Sequence, residues 1–139
     1  MSIRALEKAV GEMPQIEFDT KHFHVDGMYA RVLARDKNVL LIGKVHKRRH
    51  LYIVTKGRVA VSNDGESATI YVAGDVIVSE PGTKRAVYAL EDSICMTVHR
   101  TDKTDLDEIE EELIEPAPTA LFDARNKLKE IDMTQEVIS

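Results

Sequence analysis

The run GRVAVSNDGESATIYVAGDVIVSEPG, residues 57–82, decides the fold. Within it, residues 59–62, 69–73 and 76–79 are short segments rich in Val, Ile, Thr and Tyr, side chains that suit a pleated, half-buried surface. Each segment is bounded by turn chemistry. Asn63-Asp64-Gly65 supplies the positive-φ residues of a hairpin between the first two, while Gly57, Gly74-Asp75 and Pro81-Gly82 break the others. The same grammar extends in both directions, with residues 28–34, 39–45 and 51–54 before the run and 85–89 and 94–99 after it. Eight short strands between about Ile16 and Arg100, with no helical period among them, predict an all-β barrel or sandwich.

Helices flank this core. Ser2 can cap a first one, in which Ile3, Leu6, Val10 and Met13 share a face before Pro14 ends it. Beyond Arg100, Thr104 opens a second stretch with Asp107 three residues on; Leu106, Ile109 and Leu113 form its stripe, and its other face is acidic. Pro116-Ala117-Pro118 is a stiff break. Thr119 then starts a third helix carrying Leu121, Ala124, Leu128 and Ile131. The chain thus divides into an N-terminal amphipathic helix (1–14), a β core (15–101) and a helical extension (102–139). Each apolar stripe needs a cover, from its own core or from another subunit, so a homo-oligomer is expected.

Composition narrows the function classes. A chain of 139 residues accommodates one domain, and with 43% hydrophobic but only 5% aromatic residues its core must be aliphatic. A net charge of −5 disfavours general nucleic-acid binding, which needs a basic surplus. The longest clean apolar run, Val39-Leu40-Leu41-Ile42, is far short of the roughly 18 residues of a membrane span. Glu7, Lys8 and Glu12 interrupt the N-terminus, so no secretory signal is expected. The single Cys95 lies between Ile94 and Met96 and reads as a buried thiol in a reducing compartment.

On the spacing of its glycines and strands, the segment 38–100 resembles the cupin superfamily. The first cupin motif, Gly-x5-His-x-His-x3–4-Glu-x6-Gly, aligns with Gly57 at its end, His50 at the Glu position, His46 at the second His and Lys44 at the first. The second motif, Gly-x5-Pro-x-Gly-x2-His, aligns with Gly74, Glu80-Pro81-Gly82 and Arg85. The strings 80–92, Thr97-Val-His-Arg-Thr101 and 104–110 are also similar to small single-domain cupins encoded by tailed bacteriophages. The resemblance implies a cupin-type (jelly-roll) β-barrel, and, were the gene phage-borne, a protein of the host cytoplasm or the virion.

Cupins commonly hold a divalent transition metal through three His and one carboxylate. Here two of those four positions, Lys44 and Arg85, are cationic, and a cation beside a dication is unfavourable. The expectation is therefore no metal and no cofactor, with His46 and His50 the residual candidates. Lys44, His46, His50 and Arg85 would instead form an anion-binding quartet, or Lys44 and Arg85 would pair with acids such as Glu80 or Asp75 and plug the barrel. His22 and His24 alternate onto one strand face. They are either solvated or complete a two-His metal site, a role also open to Glu80. His99 shares strand parity with Cys95 and Thr97 and is expected only to pack.

Charge is segregated. Residues 44–58 hold six basic side chains and no acid, whereas residues 102–115 hold eight acids and one Lys. The acidic helix is expected to dock on the basic edge of a neighbouring barrel, unless both are simply solvated faces. The leading expectation is a non-catalytic protein that works through protein contacts, as an assembly, decoration or accessory component among other phage structural proteins. The alternative is a small-molecule cupin that binds an anionic sugar, nucleotide or carboxylate in the barrel, with isomerase or lyase chemistry.

Overall fold

The computed structural model describes residues 3–11 and 19–116. The elements run α1 (Ile3–Gly11), β1 (Asp19–Val25), β2 (Met28–Arg35), β3 (Leu40–Ile42), β4 (His50–Lys56), β5 (Arg58–Asn63), β6 (Thr69–Val72), β7 (Val76–Ser79), β8 (Arg85–Ala89), β9 (Ser93–Arg100) and α2 (Leu106–Leu113). Two antiparallel sheets result, one in the order β1-β2-β9-β4-β7 and the other β3-β8-β5-β6. Seven of the expected strands lie close to their predicted limits; that expected at 39–45 contracts to β3. Strand β1 is additional to the eight expected, and it contains the His22–His24 alternation read as a strand face. The expected helix at Thr119, Ser2 as a cap, and Met13 and Pro14 lie outside the described residues.

Gly57 makes the corner between the sheets, since β4 belongs to the five-stranded sheet and β5 to the four-stranded one. Its φ is +81°, and a Cβ built there would lie 2.4 Å from the Asp92 carbonyl oxygen and the Ser93 hydroxyl. Only glycine satisfies both demands. The Asn63-Asp64-Gly65 turn is also as read, with Asp64 and Gly65 at φ 54° and 79° and β5 paired with β6 from Arg58↔Val72 to Val61↔Thr69.

Register sorts the five-stranded sheet into rows. One inward row runs His24↔Tyr29↔His99 and, because Leu51 pairs with Val98, continues to His50↔Ser79. The next inward row is His22↔Arg31↔Thr97↔Tyr52↔Ile77, followed by Thr20↔Leu33↔Cys95↔Val54. The interior is therefore polar at one end and aliphatic at the other. Tyr52, Val54, Cys95, Val59, Val61 and Val87 form the main core. The outer face carries Phe23↔Ala30↔Val98↔Leu51↔Val78 and Lys21↔Val32↔Met96↔Ile53↔Val76, rows that are apolar apart from Lys21.

Helix α2 closes the polar end. Ile109 and Leu113 pack with Tyr29 in a second cluster, joined by Leu106 and Ile114. Its N-cap is Asp105, not Thr104: the Asp105 backbone is extended (φ −79°, ψ 128°), and its carboxylate accepts from the Asp107 and Glu108 amides at 2.9 and 3.1 Å. A cap must stand two or three residues before the amides it satisfies, which Asp105 does. The acidic face of α2 meets the basic segment of its own chain. Lys44 pairs with Glu110, Arg48 with Glu112 at 3.1 Å, and Lys47 donates to the Glu111 carbonyl at 2.8 Å. The attraction expected between subunits is thus satisfied within one chain. Among the described residues no helix is long and apolar enough to cross a membrane.

Candidate three-histidine centre

Three histidines from distant parts of the chain meet under α2. His99 comes from β9 and His50 from the start of β4, adjacent through the strand register. His46 precedes β4 on a segment held in place from two sides: it forms an isolated antiparallel bridge with Ile114, and its carbonyl accepts from the Gly82 amide at 3.0 Å. Ring centroids are 4.2 Å apart for His46 and His50, 4.6 Å for His50 and His99, and 5.1 Å for His46 and His99. One ligand nitrogen from each lies within 4.8 Å of the others. Of the residues predicted from the sequence, the structure brings His46 and His50 together and adds His99, which had been expected only to pack.

In His46 and His50 the second nitrogen orients the ring. His46 Nδ1 lies 3.1 Å from the Lys44 carbonyl and His50 Nδ1 3.4 Å from the Arg48 carbonyl. A carbonyl only accepts, so Nδ1 carries the proton and Nε2 is left with a lone pair. His46 Nε2 is buried and has no partner. Burial pushes His46 down to about 2, with His50, His99 and Arg31 adding Coulombic repulsion of its charged form. His99 falls to about 3, again mainly through burial and then through His50 and Arg31. His50 is lowered by burial, with Arg85 and Arg31 acting in the same sense. All three imidazoles are therefore neutral at pH 7.

Neutral imidazoles with Nδ1–H donated to a carbonyl and Nε2 turned inward are the donor set that divalent transition ions take. Bonds of about 2.0–2.1 Å require nitrogens roughly 3.4 Å apart, so each ring needs to close in by less than about 1 Å. The residues fit the group. A set of three protein ligands also leaves a coordination position open. The metal-free expectation drawn from the motif positions of Lys44 and Arg85 does not carry over to the geometry, because neither cation stands among the three imidazoles.

Lys44 lines the cavity over His46 but is engaged by Glu110. Arg85 projects from β8 beside His50, donating to Ser79 Oγ at 2.9 Å and stacking over Tyr52 with Cζ 4.6 Å from the ring centroid. Arg31, which the motif reading passed over, lines the same cavity. His22 and His24 do not join the cluster. They pack around Tyr29, His22 Nδ1 lying 2.6 Å from its hydroxyl and His24 stacking on the ring at 5.1 Å. Glu80 pairs with Arg49 at 3.0 Å on the surface. The cavity between α2 and the sheet, bounded by Tyr29, Arg31, Lys44, His46, His99 and Glu110 among others, measures about 20 Å³. That volume holds an ion or a water, not an organic ligand.

Two facing antiparallel sheets with this strand order and an interior polar end are the cupin, or double-stranded β-helix, fold. Solved structures of the same architecture include KdgF from Halomonas sp. (19% identity, 66% of this chain and 87% of that one, TM-score 0.55). A Klebsiella pneumoniae protein with a double-stranded β-helix domain matches at 16% identity (67% and 85% covered, TM-score 0.55). The DMSP lyase DddQ from Ruegeria pomeroyi matches at 15% identity (64% and 49% covered, TM-score 0.54). Identities this low establish the fold alone. No family model matches the sequence, and no curated protein does.

Proposed function

We propose that this chain is a small-molecule cupin that binds one divalent transition-metal ion through His46, His50 and His99 and takes an anionic ligand at the ion's open position. The observation that carries it is the convergence of three neutral, inward-turned imidazoles, one with a buried and unpartnered Nε2. Arg31 borders the same space, and Lys44 would join it once its pair with Glu110 opens and α2 moves aside; the two would then favour a carboxylate or phosphate group there. A bound ion supplies Lewis acidity. The chain's own contribution is to orient the imidazoles, exclude water with α2, and place the Tyr29 hydroxyl, backed by His22, on the cavity wall.

The similar structures include a DMSP lyase, which supports small-molecule chemistry inside this fold. The reading as a virion contact protein rested on a broken metal quartet, the lack of a nucleophile and base pair, and three amphipathic helices; the three-imidazole cluster speaks against the first of these grounds. The test is direct. Protein stripped with EDTA and titrated with Zn²⁺, Ni²⁺, Mn²⁺ and Fe²⁺ is expected to bind one equivalent of at least one ion, measured by calorimetry and elemental analysis. His99→Ala and His46→Ala lose that equivalent, and His24→Ala keeps it. Stoichiometric binding undiminished in His99→Ala, or no binding of any of the four ions at micromolar concentration, overturns the proposal.

A further inference from the structure

The interior contains two buried guanidinium groups with no counter-charge. Arg35, at the end of β2, is 6% exposed; its Nη2 reaches the Tyr52 hydroxyl at 3.4 Å, and its Nε and Nη1 are buried without partners. Arg85, at the start of β8, is 9% exposed, and its Nε is likewise without a partner. The two groups border one phenol, Arg35 at its hydroxyl and Arg85 over its face. Thr97, the cross-strand neighbour of Tyr52 on the same inner row, has a buried hydroxyl with no partner either.

Among the described residues no carboxylate pairs with Arg35 or Arg85; the ion pairs involve Lys44, Arg48, Arg49 and Arg100. Tyr52 cannot supply the charge. Burial pushes its phenol up to about 12, so it stays neutral. Guanidinium groups keep their protons, and an uncompensated buried ion costs several kcal/mol. One such residue reads as a plug. Two of them around one ring, with three guanidinium nitrogens and a hydroxyl left over as donors, read as a site waiting for an acceptor.

We infer that Arg35, Arg85 and Thr97 form a buried oxyanion site around Tyr52 that takes a phosphate or carboxylate group. The site stands apart from the metal reading, since none of its donors is an imidazole. It also replaces the pairing of Arg85 with Lys44 expected from the motif: the partner of Arg85 in anion binding is Arg35. Ser79 links the two centres, because it accepts from Arg85 and is the strand neighbour of His50.

The experiment uses full-length, EDTA-stripped protein, titrated with inorganic phosphate and in parallel with acetate, followed by calorimetry and thermal unfolding. One equivalent of phosphate or acetate is expected to bind saturably and raise the melting temperature, and the tighter of the two names the group. Arg35→Met and Arg85→Met are expected to weaken binding at least tenfold, and Thr97→Val to weaken it less. Arg49→Met, at an exposed arginine paired with Glu80, leaves binding unchanged, and binding by the metal-stripped protein separates this site from the metal centre. Should either arginine variant fail to fold, Thr97→Val and the remaining one decide. Absence of saturable binding by both anions, unchanged affinity in the folded Arg35 and Arg85 variants, or an equal loss of binding in Arg49→Met overturns the inference.

Discussion

Lowering the pH from 7 to 5 should destabilise the metal-free protein through its histidines. His46 and His99 have folded pKa values near 2 and 3, against about 6.5 in an unfolded chain. A depressed histidine keeps its proton off in the fold and takes one up only on unfolding. Its contribution to stability is thus complete above pH 6.5 and drains away as the pH falls toward the folded value. Between pH 7 and 5 linkage gives about 1.9 kcal/mol for each, or roughly 4 kcal/mol for the pair, and His50 acts in the same direction. Against a domain stability of about 5–15 kcal/mol this is a large fraction. Carboxylates titrate mostly below this window, so the histidines dominate it. Urea unfolding of EDTA-treated protein at pH 7, 6 and 5, followed by circular dichroism, measures the slope. His99→Gln should remove about 1.9 kcal/mol of the loss. A loss below about 1 kcal/mol between pH 7 and 5 would refute the claim that these imidazoles are buried and neutral.

Two further perturbations probe the frame. Gly57→Ala combines left-handed backbone with contact at 2.4 Å to the Asp92 carbonyl, and about 2–5 kcal/mol of stability should be lost; Gly74→Ala, with nothing within 4 Å of its Cβ, should cost only the backbone strain. Equal melting temperatures for the two variants would contradict the corner packing. Leu113→Ala removes the 3%-exposed anchor of α2 from Tyr29 and Ile109, worth about 2–4 kcal/mol. Hydrogen exchange should quicken at residues 106–113 while β2 and β9 stay protected, and uniform loss of protection would show that α2 does not open independently.

What the sequence disclosed and what it hid follow from how far each feature depends on pairing. Strands β5, β6 and β7 were legible because each ends at a glycine, proline or Asn-Asp-Gly turn. Strand β1 was not, for its alternation is inverted: Thr20, His22 and His24 face inward, while Phe23 and Val25 are 49% and 59% exposed on the outer sheet face. A rule that turns apolar residues inward leaves such a segment out of the strand count, even though the His22–His24 alternation is visible. The α2 stripe was visible at Leu106, Ile109 and Leu113, yet the reach of the Asp105 carboxylate displaced the cap by one residue. At the site, His46 and His50 came from local spacing. His99 required the β4–β9 register, which joins residues nearly fifty apart and leaves no local trace, although its parity with Cys95 already placed it on one face with the core.

The charge blocks were equally plain, and their meeting within one chain bears on whether a dication can live beside so many basic groups. The objection is Coulombic, and α2 answers much of it. Glu110 meets Lys44 and Glu112 meets Arg48, so the cations nearest His46 arrive already compensated. Arg85 is turned away toward Ser79 and Tyr52. Arg31 remains as a cation on the cavity wall, and it is among the causes that hold His46, His50 and His99 deprotonated. Neutral imidazoles bind metal; protonated ones do not. The same helix that supplies the compensating acids also fills the mouth down to about 20 Å³. On the proposed reading an anionic ligand therefore cannot enter past a closed α2. On that reading it competes with Glu110 for Lys44, a competition that a neutral molecule lacks the charge to enter.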